Sequence, residues 1–139
     1  MCDEEANDIG ELVPNDTIIY RACTRRIDLS TDKTQVREIA FQKMGRIAKN
    51  KDGLSFRTTP AACNDLNHFG ILRIRVGDIH GLNRNLEVRF DATDPSHVLL
   101  RNLPCMDREP QEKELAEAVA GELAFRAVPH SIVPFKKDE

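Results

Sequence analysis

The sequence predicts a single α+β domain, with a mostly antiparallel sheet of about five strands and two main helices. Three observations predict it. Ile71-Leu72-Arg73-Ile74-Arg75-Val76 alternates apolar and charged residues, the period of a strand with one buried face. Leu115, Ala116, Val119, Ala120, Leu123, Ala124 and Ala127 recur at helical spacing, the apolar stripe of a helix lying on a core. Between them, short strand-like runs and turn residues follow one another without the regular βαβ alternation of a parallel fold. A length of 139 residues, 40% hydrophobic, fits one core of this kind.

Residues 1–12 are acidic and weakly patterned and are expected to be a flexible tail; the domain is expected over 13–130, with a second tail over 131–139. Val13-Pro14-Asn15-Asp16 reads as a turn, and residues 17–22 as a first strand whose dense apolar run suits cover on both faces. Val36, Ala40, Met44 and Ile47 suit a helix over residues 34–49, with Asp32 as a cap, although Gly45 weakens it. Leu54-Ser55-Phe56-Arg57 is a short strand, and Thr59-Pro60 opens a helical turn over 61–66. After the strand at 71–76, Gly77-Asp78-Ile79-His80-Gly81 reads as a loop, Leu86-Glu87-Val88-Arg89-Phe90 as an alternating strand, Asp94-Pro95 as a turn and residues 97–100 as a last strand. The last helix runs from Glu112 to Ala127. A proline-marked acidic stretch precedes it, Glu112, Glu114, Glu117 and Glu122 face water, and Pro129 ends it.

The net charge of −3 weighs against a general nucleic-acid binder, whose affinity comes from neutralising phosphates. The four cysteines are far apart and form no C-x-x-C pair, and no two of the four histidines lie within one helical turn. Neither zinc nor a redox dithiol is therefore expected, and no metal ligand is assigned. The N-terminus has no apolar run of the secretory type and no stretch is long enough to cross a bilayer, so a cytoplasmic location with reduced thiols is expected.

Candidate chemistry is spread along the strands. By parity, Arg57, Arg73, Arg75 and Arg89 take one sheet face, where forked guanidiniums suit phosphate or carboxylate; Arg73, Arg75 and Arg89 are the candidates for holding an acidic protein partner. The competing reading is a solvated face with Glu87 as a cross-strand partner. His97, after a turn at the start of a strand, is the candidate acid or base, with a locally satisfied histidine as its alternative. Ser55 lies outside any G-x-S-x-G and is expected to shape the turn, and Cys23 is expected to be a buried, inert thiol. No P-loop or G-x-G-x-x-G is present.

Ile19-Tyr20-Arg21-Ala22 resembles the first motif of ADP-ribosyltransferase-like domains, including the RES type. Gly53-Leu54-Ser55-Phe56-Arg57-Thr58-Thr59-Pro60-Ala61-Ala62, followed by Gly70-Ile71-Leu72-Arg73-Ile74, resembles their second block. The resemblance covers about half of the chain. It implies an NAD or nucleotide site in which Arg21 and Arg57 bind phosphate and Ser55 shapes the ribose pocket, in a toxin or effector. Ser55-Phe56-Arg57-Thr58 stands where the family has Ser-Thr-Ser, and His97 stands near the place of its late-strand glutamate. The layout before the last helix is also similar to that of small bacterial proteins of no assigned activity. Three expectations follow: a nucleotide-binding domain, a non-catalytic interaction module, or a metal-independent ribonuclease built on His97 and the arginines.

Overall fold

The computed structural model describes residues 8–32, 34–44, 53–63 and 70–130. It is α+β, with seven strands in one antiparallel sheet and two α-helices among the described residues. The strands are β1 (Ile9–Leu12), β2 (Ile18–Ala22), β3 (Leu54–Arg57), β4 (Ile71–Arg75), β5 (Glu87–Asp91), β6 (Asp94–Arg101) and β7 (Val128–Pro129), in the spatial order β1-β5-β6-β3-β2-β4-β7. The five strands expected from the sequence are the interior ones. The two additions, β1 and β7, are short edges, which need little apolar patterning because half their backbone faces away from the sheet. β1 corrects the tail boundary: Ile9 and Leu12 pair with Asp91 and Arg89. The expected tail at 131–139 lies outside the described residues.

One face carries the core. In antiparallel pairs, directly opposed residues share a face. The registers Ile19↔Ile74, Arg21↔Leu72, Phe56↔Val98, Leu54↔Leu100 and Val88↔Leu100 therefore stack one apolar surface. Helix α2 (Pro110–Arg126) covers it with Ala116, Val119, Ala120 and Leu123. Pro110 sits at its first turn, where the missing N–H costs nothing. The Glu112 carboxylate accepts the backbone N–H of Cys105 at 2.8 Å and Glu122 pairs with Arg84, so these two expected solvent residues tie the helix down. Val128 and Pro129 leave the helix to pair with β4.

The helix expected over 34–49 does not form in its described part. Only Glu38–Phe41 makes a 3₁₀ turn, and residues beyond 44 lie outside the described set. Asp32 explains the difference: its carboxylate accepts bonds from the Ser30 hydroxyl and from the Thr34 amide and hydroxyl. That closes a turn in which Ser30 N–H bonds Gln35 O, Arg37 N–H bonds Asp28 O, and Leu29 bridges Val36. Local side-chain bonds of this kind compete with a helix and here prevail. Ala40 and Phe41 still reach the core, with the Phe41 ring stacked 6.2 Å from Phe56.

Two smaller expectations also change. The stretch read as a loop is a short helix, α1 (Val76–His80), anchored by Val76 N–H to Thr17 O and Gly77 N–H to Asn15 O. The turn read at Asp94-Pro95 lies at Ala92-Thr93, so Asp94 already belongs to β6. Of the cysteines, Cys23 and Cys63 are buried, whereas Cys105 is disulfide-bonded, against the expectation of reduced thiols. No helix among the described residues is long and apolar enough to cross a membrane.

Candidate functional site

The second face of the sheet holds one row of polar side chains, built purely by register. Arg73 on β4 opposes Tyr20 on β2, Tyr20 opposes Arg57 on β3, and Arg57 opposes His97 on β6. The row is not a freely solvated surface: Ile71 and Leu99, on the same face, are buried, and Ile71 packs with Ala22, Cys63 and the edge of Tyr20.

His97 is held by the hairpin between β5 and β6. Its Nδ1 lies 2.8 Å from Asp91 Oδ2, and the two side chains are 18% and 19% exposed, recessed but reachable. The other carboxylate oxygen, Oδ1, accepts the Thr93 amide at 2.9 Å and its hydroxyl at 2.7 Å. An ionised carboxylate only accepts, so Nδ1 is the nitrogen that carries the proton, and in the neutral ring Nε2 presents the lone pair. The hydrogen bond from His97, aided by Thr93, lowers the Asp91 carboxyl to about 2. Orientation by a fixed carboxylate is the arrangement that makes an imidazole a directed proton acceptor.

Arg57, beside His97, has a loose partner. Its Nη1 is 3.8 Å from Asp94 Oδ2, while Asp94 Oδ1 is engaged by the Ser96 amide and hydroxyl, bonds that hold the Asp94 carboxyl below its ordinary range. At the other end of the row, Arg73 Nη1 donates to His130 Nδ1 at 3.3 Å, and the His130 ring meets Tyr20 edge-on at 5.2 Å between centroids. Burial, with the Arg73 charge second, pushes the His130 imidazole pKa down and keeps it neutral. Because arginine cannot accept, the neutral ring carries its proton on Nε2, which is buried without a partner.

The remaining expected site residues fall into three groups. Ser55 lies on the row's face, opposite Leu99 and two positions from Arg57. Arg21 does not: it takes the core face, donates from Nη1 to the Ser55 carbonyl at 2.7 Å, and lies 5.7 Å over the Phe56 ring. Burial pushes its pKa down, with Asp28 opposing. Arg21 therefore takes the opposite face of the sheet from Arg57 and His97, so the two arginines expected to bind phosphate do not share a face. The reason is parity: Arg21 and Tyr20 are adjacent on a strand and point to opposite faces. Arg75 and Arg89 lie on the expected face but are paired within the chain, Arg75 Nη2 to Asp78 at 3.1 Å and Arg89 Nε to Glu87 at 3.0 Å. The expected four-arginine surface thus narrows to Arg57 and Arg73.

Cys23 is a buried thiol, pushed up to about 12 chiefly by that burial, which removes it as a nucleophile at neutral pH. His80 is structural: its Nε2 accepts the Val88 amide, so Nδ1 donates to Asn15 Oδ1 at 2.6 Å. His68 lies outside the described residues. Among the described residues no group of three or more His, Cys, Asp or Glu side chains could hold a metal ion.

Sequence reasoning missed Asp91, Tyr20 and His130 as members of the site. Asp91 was detectable in principle, since a hairpin turn at Ala92-Thr93 brings residues 91 and 97 together, but reading the turn at Asp94-Pro95 hid it. No local signal places His130, which reaches the row only because β7 pairs with β4. No family model, no curated protein and no solved structure matches this chain.

Proposed function

We infer that the row performs metal-independent acid–base chemistry on a phosphodiester, in the manner of a ribonuclease. The observation that carries this reading is His97, oriented by Asp91 at 2.8 Å and set opposite Arg57 on the paired strand. His97 Nε2 takes the proton of a ribose 2′-hydroxyl. The 2′-oxygen bonds to phosphorus, Arg57 neutralises the charge on the non-bridging oxygens, and the bond to the 5′-oxygen breaks. The proton on His97 then goes to the leaving 5′-oxygen, so protons balance and the products are a 2′,3′-cyclic phosphate and a 5′-hydroxyl. The test is incubation of single-stranded RNA with the protein and analysis of the new ends. Cyclic phosphates are expected, with the rate falling at least a hundredfold in His97→Ala; RNA left intact at high protein concentration would overturn the reading.

A second reading keeps the binding and drops the chemistry. Ser55 and Arg57 share a face with His97, which supports nucleotide binding of the ADP-ribosyltransferase-like kind, with NAD as the ligand and Arg21 acting only through the Ser55 carbonyl. In that case NAD raises the melting temperature of the native protein but not of Arg57→Ala, and RNA stays intact.

A further inference from the structure

The end of the row farthest from His97 carries a feature the cleavage step does not use. Arg73 is half-buried, and among the described residues its only polar side-chain partner is His130, a neutral imidazole. Arg25, Arg75, Arg84 and Arg89 each have a carboxylate oxygen within 3.1 Å. A partly desolvated guanidinium with no counter-charge is an unfavourable arrangement unless an anion completes it. His130 adds an independent sign: it is 3% exposed, and its Nε2–H has no acceptor. A guanidinium without a counter-charge and a buried donor without an acceptor thus meet at one ring, and Tyr20 lies between them and Arg57.

We propose that Arg73, steered by His130, is a second phosphate subsite, so that the ligand is a single-stranded oligonucleotide rather than a mononucleotide. This rests on the phosphodiester reading of the Arg57–His97 end. Arg57 and Arg73 stand two strand positions apart, with Tyr20 on the strand between, so their Cα atoms are separated by about 10 Å. One phosphate does not bridge that distance, whereas successive phosphates of one strand do. The strand then crosses the sheet roughly along the row, over Tyr20, with its scissile phosphate at Arg57 and a neighbouring phosphate at Arg73.

Calorimetric titration of the full chain tests this with deoxythymidine monophosphate and deoxythymidine tetranucleotide, neither of which has the 2′-hydroxyl needed for cleavage. The tetranucleotide is expected to bind at least tenfold more tightly than the monophosphate. Arg73→Gln should remove that advantage and reduce the slope of log K for the tetranucleotide against log salt by about 0.7, the loss of one phosphate contact on a single strand. Arg73→Lys should restore part of the advantage, since it returns a point charge without the fork. Equal affinity of the native protein for both probes overturns the subsite without reference to any variant, as does an Arg73→Gln protein that keeps the tenfold preference, or failure of the native protein to bind either probe. Intact RNA together with an Arg73-dependent preference would remove the cleavage chemistry and keep the subsite. RNA cleavage without the preference would do the reverse.

Discussion

Asp91 and His97 are the residues whose pairing matters most, and their coupling has a pH signature. The Asp91 carboxyl is lowered to about 2 in the folded chain, chiefly by its hydrogen bond from His97. A carboxyl with a depressed folded pKa contributes stability above its unfolded pKa, near 4, and loses it as pH falls through the folded value. Asp91→Asn should therefore be less stable than the native chain at neutral pH, with the gap closing between about pH 4 and pH 2. Urea midpoints measured across that window would show it, and a gap that does not change with pH would contradict the assignment. The same substitution leaves His97 without its carboxylate, so RNA cleavage should fall while oligonucleotide binding, which depends on the arginines, persists. At this scale the sequence was partly legible. Arg57 was readable from strand parity, His97 from its place after a turn and Ser55 from the family resemblance, and all three lie on one face. Asp91 was hidden by a turn placed two residues late, and Arg21 was given a phosphate role by a motif, which says nothing about which face a strand buries.

Among the elements, β3 is entered through a tight backbone constraint. Gly53 precedes it with φ of +119°, a conformation L side chains rarely adopt, and a Cβ there would lie 2.7 Å from the Leu100 carbonyl oxygen. Gly53→Ala should cost about 1–3 kcal/mol through backbone strain. Because β3 and β6 carry Arg57 and His97, that strain should also weaken the row. Denaturant titration reads the first effect, and unchanged stability would refute the constraint. The long helix was legible because its apolar stripe repeats over several turns and its buried residues are those of the stripe. The segment 34–44 was misread because three apolar residues at helical spacing are a weak signal beside an Asp32 turn that satisfies its own backbone neighbours. The short edges β1 and β7 were invisible for a related reason: four and two residues carry too little pattern to register.

Across the whole molecule, the sheet keeps its apolar core on one face and the polar row on the other. Leu123 is fully buried between α2 and the sheet, whereas Phe125, two residues later, is 87% exposed. Leu123→Ala should cost about 2–5 kcal/mol, and Phe125→Ala about 0.5 kcal/mol or less. Equal effects in thermal or urea unfolding would mean that the helix packs with another face. The sequence by itself determined the α+β class, the five interior strands, the long helix and the alternation that splits core from polar residues, because these depend on local periodicity and composition. Tertiary structure alone decided the strand order β1-β5-β6-β3-β2-β4-β7. That order sets Arg73, Tyr20, Arg57 and His97 side by side although they are far apart in the chain, and it brings His130 to the far end of the row. Cross-strand register comes from packing summed over the whole sheet and from turn geometry, and no single segment encodes it.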